Sequence, residues 1–178
     1  MTSIVARGLG AAALACFAVG ASAQETSEST NRVAAKTDWS VFVEDDPTEC
    51  WAVSSPKETV NTKDGRVVAV RRSDILLFVT YRPGSSVEGE VSFTGGYPFA
   101  TGSTVSVQIG DDKFDFLTQG ENAWPSSVDQ DKSVVAAMKR GAEAKVTGRS
   151  SRGTRTEDTF SLLGFTAALE EAAKRCGG

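Results

Sequence analysis

Apolar residues recur at every second position in short runs along this chain, and that spacing restricts most of it to β-strands with one buried face. The runs are Trp39, Val41 and Val43; Ile75, Leu77, Val79 and Tyr81; Val87, Val91 and Phe93; Val105, Val107 and Ile109; and Phe114 with Phe116. Turn-forming pairs separate them, namely Asp64-Gly65, Pro83-Gly84, Gly95-Gly96 and Gly110-Asp111, at spacings that suit hairpins and meanders. Short strands with a turn every ten or so residues predict a mainly β fold, an antiparallel β-sandwich or partly open barrel. At 178 residues the chain has room for one sizeable core and not for two.

Two short α-helices interrupt this pattern. The first is expected from Ser127 or Val128 to Gly141. Ser127 and Gln130 have capping-box spacing, Val134, Val135 and Met138 form an apolar stripe, and Gly141 suits a left-handed stop. The second is expected from Phe165 to Arg175. Phe165, Leu169, Ala172 and Cys176 share one face of it, which predicts packing against the sheet.

The first 23 residues read as a secretory signal. Arg7 is the only charge before an alanine-rich apolar run from Leu9 to Val19, and Ala21-Ser22-Ala23 places cleavage after Ala23. That run is shorter than a membrane-spanning helix requires, and no later segment approaches the length. An alternative makes Cys16 a lipidated N-terminus, although Ala13 stands where such signals carry leucine. Residues 24–37 are polar and lack apolar periodicity, so they are expected to be a flexible arm. A single β-rich domain over 38–178 follows. Within it Cys50 and Cys176 form an even pair, and in an oxidising compartment a disulfide is the natural outcome, free thiols or a redox pair being the alternatives.

Histidine is absent, which excludes Ser-His-Asp and Cys-His catalysis and every zinc site that needs imidazole. A net charge of −4 argues against a whole-molecule basic surface for nucleic acid or anionic lipid. Ser54 and Lys57 have the S-x-x-K spacing of penicillin-interactive serine enzymes, but Pro56 lies inside it and the companion S-D-N and K-T-G motifs are missing. Asp45, Asp46 and Glu49 form an acidic cluster beside Cys50 that reads as a solvated turn. Asp129, Asp131 and Ser133 begin like a calcium loop, but Arg140 stands where glutamate is needed. No cofactor and no metal are expected. Trp51, Tyr97, Phe99, Trp124 and Pro125 are candidate interface residues near strand ends or turns, with packing the simpler role for Trp39 and Trp51.

The most distinctive stretch runs from Gly148 to Thr159, where Arg149, Arg152 and Arg155 alternate with glycines and hydroxyl residues. Guanidinium groups and exposed amides there would hold a carboxylate, a phosphate or an acidic partner. The competing arrangement is a hairpin around Arg152-Gly153 in which Glu157 and Asp158 satisfy the arginines internally. No phosphate-loop spacing occurs.

Trp39-Ser40-Val41, then Cys50-Trp51-Ala52-Val53-Ser54-Ser55-Pro56, Val91-Ser92-Phe93, the run from Gly148 to Thr154, Phe160-Ser161-Leu162, Gly164-Phe165 and Cys176 form a combination that resembles the invasion-associated locus B family of secreted Gram-negative proteins. The resemblance covers nearly all of the expected domain. It implies a periplasmic or surface-associated β-rich protein without an established enzymatic activity, in a family named for members linked to host-cell entry. The expected role is non-enzymatic binding of an unidentified protein or envelope component through Arg149, Arg152 and Arg155. The alternatives are a periplasmic hydrolase using Ser54 with Lys57, or the carboxylates of Asp45 and Glu49, and a structural or stress-related periplasmic protein.

Overall fold

The computed structural model describes residues 31–46 and 48–176. Twelve strands and two helices follow in chain order: β1 (Arg32–Lys36), β2 (Trp39–Asp45), β3 (Thr48–Ser54), β4 (Glu58–Lys63), β5 (Arg66–Val67), β6 (Leu76–Arg82), β7 (Val87–Thr94), β8 (Thr104–Ile109), β9 (Asp112–Gln119), β10 (Asn122–Trp124), α1 (Val128–Arg140), β11 (Glu143–Arg149), β12 (Arg155–Ser161) and α2 (Phe165–Cys176). Every alternating run expected to form a strand lies in one, except that Ile75 sits just before β6.

All strands join one antiparallel sheet in the order β1-β2-β3-β6-β7-β10-β9-β8-β11-β12-β4-β5. Residues 55–57 carry the chain from β3 to β4, near the far end of that order, so the sheet must fold over on itself. The fold-over is held by main-chain and side-chain bonds between its two halves. Asp38 N donates to Leu163 O at 3.3 Å and Trp39 Nε1 to Ser161 O at 3.0 Å, while Lys57 N, donating to Thr159 O at 2.7 Å, extends the ladder between β4 and β12. Among the described residues β1 and β5 are the two end strands of that order. The result is an open, sandwich-like sheet that does not close into a barrel.

Alternation decides which side chains fill the interior. Trp39 and Val41 on β2, Cys50 and Ala52 on β3, Leu77 and Val79 on β6, and Val91 and Phe93 on β7 point inward, opposed by Val146 and Phe160 on β11 and β12. Phe93 meets Phe160 edge-on with ring centroids 6.1 Å apart. Helix α2 covers the inner face of β1, β2, β3 and β6. It buries Phe165, Ala168, Leu169, Ala172 and Cys176, and Phe165 packs edge-on to Trp39 at 4.9 Å. Each large side chain fully buried this way contributes about 1.5–3 kcal/mol of hydrophobic stabilisation.

Helix α1 starts as its sequence suggests, with the Ser127 hydroxyl accepting from Gln130 N. Gln130 reaches back one residue further than a regular capping box, accepting from both N and Oγ of Ser126. The expected left-handed stop at Gly141 is not there: its φ is −82° and its ψ 161°. Glycine is required for space instead, because a Cβ would lie 2.5 Å from Ile109 Cγ2 and 3.0 Å from Leu162 Cδ1.

A second correction concerns the N-terminal arm. Residues 32–36, expected to be flexible, form β1 and pair with β2. Main-chain bonding and contact with α2 hold this strand, and neither leaves an apolar repeat to read in the sequence. The expected signal segment 1–23, its Cys16 and the rest of the expected arm lie outside the described residues.

Cys50 on β3 and Cys176 at the end of α2 are joined by a disulfide, with Cα atoms 5.9 Å apart and a sequence separation of 126. In the chain-entropy account, a loop of that length restricts the unfolded state by about 5 kcal/mol, an upper figure since measured effects run lower. Replacing both cysteines by serine is expected to lower unfolding stability by about 2–5 kcal/mol, read as a lower guanidinium midpoint with an unchanged near-ultraviolet spectrum. An unchanged midpoint would show that packing alone holds α2 on the sheet.

Candidate functional site

The segment that returns from β5 to β6 crosses one end of the folded sheet and leaves a cleft of about 520 Å³ beside the β11–β12 hairpin. Residues 69–72 form one wall. Ser150, Ser151, Arg152 and Thr154 of the hairpin turn form the other, and Tyr97 lies between them.

The cleft stands on a buried ion pair. Asp158 occupies an inward position of β12 between Thr156 and Phe160 and is fully buried, where an isolated carboxylate would be very costly. Arg72 answers it with two parallel bonds, Nη1 to Oδ1 at 2.7 Å and Nη2 to Oδ2 at 2.6 Å. The guanidinium also donates from Nε to Gly95 O at 2.8 Å and from Nη1 to Asn61 Oδ1 at 3.4 Å. Bidentate geometry with further partners is the condition under which a buried pair offsets its desolvation. The Arg72 guanidinium also lies 5.0 Å from the centroid of the Tyr97 ring, within cation–π range.

Tyr97 is fixed from its other side. Its hydroxyl shares a 2.6 Å hydrogen bond with Thr156 Oγ1. Burial is the main cause that pushes its phenol above the usual tyrosine range, against the lowering effects of Thr156 and Arg72, so it stays a neutral hydroxyl. The ring packs over Gly148, where a Cβ would come within 2.6 Å of Tyr97 Oη and 3.0 Å of Phe99 Cε1. That close approach explains the glycine that opens the arginine-rich stretch. At the preceding turn Gly96 has φ +69°, and a Cβ there would meet the Ser73 carbonyl oxygen at 2.6 Å.

The hairpin forms where expected. Gly153 takes a positive φ, Ser150 N donates to Thr154 O at 2.8 Å, and Thr154 N donates to Ser150 Oγ at 3.1 Å. Its three arginines do not converge. Arg149 and Arg155 are directly opposed across the two strands and point away from the cleft with the other outward residues, whereas Arg152 at the tip lines the cleft. Glu157 takes Arg155 at 3.2 Å and Lys145 at 3.4 Å. Asp158, expected to serve the same arginines, faces the other way and pairs with Arg72. Among the described residues Arg149 and Arg152 have no ion-pair partner.

Arg72 escaped sequence reasoning because it lies in an irregular segment. A signal was nevertheless present: an acid at an inward position of an alternating strand requires a cation, and Arg71-Arg72 were among the basic residues left outside any strand.

The serine and the carboxylates lie at opposite ends of β3, Asp45 and Glu49 staying together across the β2–β3 turn. Ser54 ends β3 and Glu49 lies near its start, separated by roughly 17 Å of extended chain. Ser54 is buried, and its hydroxyl donates to Asp38 O at 2.8 Å. Lys57 is paired with the Asp38 carboxylate at 2.5 Å, and the hydrogen bond from Lys57 is the main cause holding that carboxyl below its usual range. Glu49 is engaged by Arg82 at 3.3 Å. Of the aromatic candidates, Phe99 is buried beside Tyr97. Trp51 faces the outer side of the sheet, half-buried between Phe42 and Thr80. Trp124 is half-buried in β10. Among the described residues no cluster of acids and cysteines is arranged to hold a metal ion, and no helix is long and apolar enough to cross a membrane.

Comparison with known proteins agrees with this architecture. The family model described as Invasion associated locus B (IalB) protein matches residues 39–173, from the first residue of β2 into α2. Among solved structures, the chain is similar to the crystal structure of invasion associated protein B from Bartonella henselae, with a TM-score of 0.54 and 18% identity. The similarity covers 79% of this chain and 95% of that one, and at this identity it speaks for the fold. No curated protein matches the chain.

Arg72→Ala removes one partner of a pair whose side chains are 5% and 0% exposed. It is expected to destabilise the fold by about 3–5 kcal/mol because Asp158 is left buried and uncompensated. Arg72→Ala combined with Asp158→Asn should recover part of that loss in urea unfolding. A loss below about 1 kcal/mol for the single variant would show that water reaches Asp158.

Proposed function

This chain belongs to the invasion associated locus B family, and on that premise we propose that it is an exported, non-enzymatic protein of the Gram-negative envelope or surface that binds a protein or envelope component. The hairpin is the proposed contact, through Arg149, Arg152 and Arg155. The observation that carries this reading is the cross-strand pair Arg149 and Arg155, two like charges placed directly opposite each other at an exposed hairpin end. Such a pair is unfavourable within the isolated sheet. Glu157 relieves only one of the two, so an acidic partner supplies what the fold does not.

Export is supported by the sequence before Ala23 and by the long-range disulfide, which suits an oxidising compartment. The mature protein is then periplasmic, or reaches the cell surface. A contribution to host-cell adhesion or entry is the narrower form of the proposal, supported by the family description and by the name of the Bartonella henselae protein.

The test is crosslinking in intact cells followed by mass spectrometry of what is captured, with a triple Arg149→Ala, Arg152→Ala and Arg155→Ala variant alongside. All three side chains are exposed, so the variant should melt within a few degrees of the parent. One reproducible partner, lost in the folded variant, is the expected result. A partner retained by that variant would remove the hairpin as the contact, and capture of nothing specific would count against binding.

A further inference from the structure

The cleft holds a feature that neither the fold nor the hairpin contact uses. Thr154 is only 7% exposed, yet its hydroxyl has no hydrogen-bond partner among the described residues. Buried polar groups are nearly always paired. No side-chain nitrogen or oxygen fully enclosed in the described residues lacks a partner, so the Thr154 oxygen is open to solvent and available to a ligand in the cleft it lines. Beside it Ser150, 9% exposed, accepts the Thr154 amide through Oγ and keeps its own O–H to donate. Two hydroxyl donors are thus held on a turn fixed by its own main-chain bonds.

Charge and surface along the cleft indicate what those donors meet. Arg71 and Arg152 line it, are exposed, and have no ion-pair partner among the described residues. Arg72 is already neutralised by Asp158. Glu121 is the acid on the wall, which leaves an excess of one positive charge. Val70, Pro98 and the Tyr97 ring give the lining apolar surface, and Val70 is 41% exposed. Single excess charge, hydroxyl donors and an apolar wall complement a monoanion with an apolar body better than a dianion. The volume is in the range of sites for small ligands.

We propose that this cleft binds a small organic monocarboxylate, with Arg71, Arg152 and the Ser150 and Thr154 hydroxyls taking the carboxylate and Val70, Pro98 and Tyr97 covering the apolar body. The site goes beyond the hairpin contact and shares only Arg152 with it. Arg149 and Arg155, on the outward face, play no part here.

The test is a titration of the disulfide-bonded protein followed by amide NMR shifts, using hexanoate, hexanol, inorganic phosphate and a short peptide ending in leucine as probes. Hexanoate is expected to give saturable shifts confined to residues 69–72, 96–98 and 150–156, with a Kd in the millimolar range. Arg71→Ala and Arg152→Ala should each weaken it by about tenfold or more, Thr154→Val by about threefold, and Arg149→Ala not at all. All four side chains lie at the surface or exchange a hydroxyl for a methyl, and each variant's spectrum reports its folding directly. Absence of saturable hexanoate shifts, equal binding of hexanol, or tighter binding of phosphate would overturn the proposal. Equal weakening by Arg149→Ala would overturn it too, since the attraction would then be diffuse. Binding of the peptide more than about tenfold tighter than hexanoate would assign the cleft to a protein C-terminus instead. A cleft that fails while the crosslinked partner is still lost with Arg149 and Arg155 leaves the hairpin contact standing.

Discussion

Three residues, 55–57, oblige the sheet to fold over, and the remainder of the architecture follows from that constraint. They link β3 to β4, strands that lie far apart in the sheet order, and so short a connection forbids a flat sheet. Folding brings the inward faces of β2, β3, β6 and β7 opposite β11 and β12, where Phe93 meets Phe160. It also leaves room over β1, β2 and β3 that α2 fills, with the disulfide fastening the helix end to β3. The chain must then travel back from β5 to β6. That return crosses the end of the sandwich and becomes a wall of the cleft.

The return segment is irregular, so main-chain pairing contributes little to holding it. Arg72 does so instead, reaching from the segment to Asp158 on β12, Gly95 at the end of β7 and Asn61 on β4. A pair buried this deeply gives little net stability compared with apolar residues of the same shape. Its geometric demand is strict, however, because a bidentate contact is satisfied at one position of the segment only. Tyr97, packed between Arg72 and Gly148 and bonded to Thr156, extends the same arrangement to the floor of the cleft. Those contacts fix the floor of the cleft, Arg72 and Tyr97, beneath the hairpin turn that carries Ser150 and Thr154.

The arginine-rich stretch shows how far one-dimensional reasoning reaches. A hairpin around Arg152-Gly153 was legible because glycine with a positive φ and flanking alternation are local features. The division of its arginines was not. Residues 149 and 155 share a face because they are register partners, and 152 departs from them because it lies in the turn. Register also separates Glu157 from Asp158. Adjacent residues of a strand face opposite sides, so one meets Arg155 and Lys145 and the other meets Arg72. The same rule sends Trp51 to the outer face between inward Cys50 and Ala52. Gly141 was read as a conformational stop because glycine after a helix has that local meaning, but its cause is the approach of Ile109 and Leu162. Strand β1 was missed because Arg32–Lys36 carries no apolar alternation and is held mainly by β2 and α2.

What the sequence by itself determined is therefore the local content: the alternating strands β2, β6, β7, β8 and β9 with their inward-facing residues, the β11–β12 hairpin, both helices, the partnership of Cys50 with Cys176 and the family pattern. Each depends on periodicity, turn chemistry or composition within a few residues, or on there being one plausible partner. The tertiary structure alone decided the order of strands, the incorporation of β1, the Arg72–Asp158 pair and the cleft. These depend on contacts between positions as distant as 72 and 158, and a linear pattern states only that a buried aspartate needs a cation, not which arginine the folded sheet will bring to it.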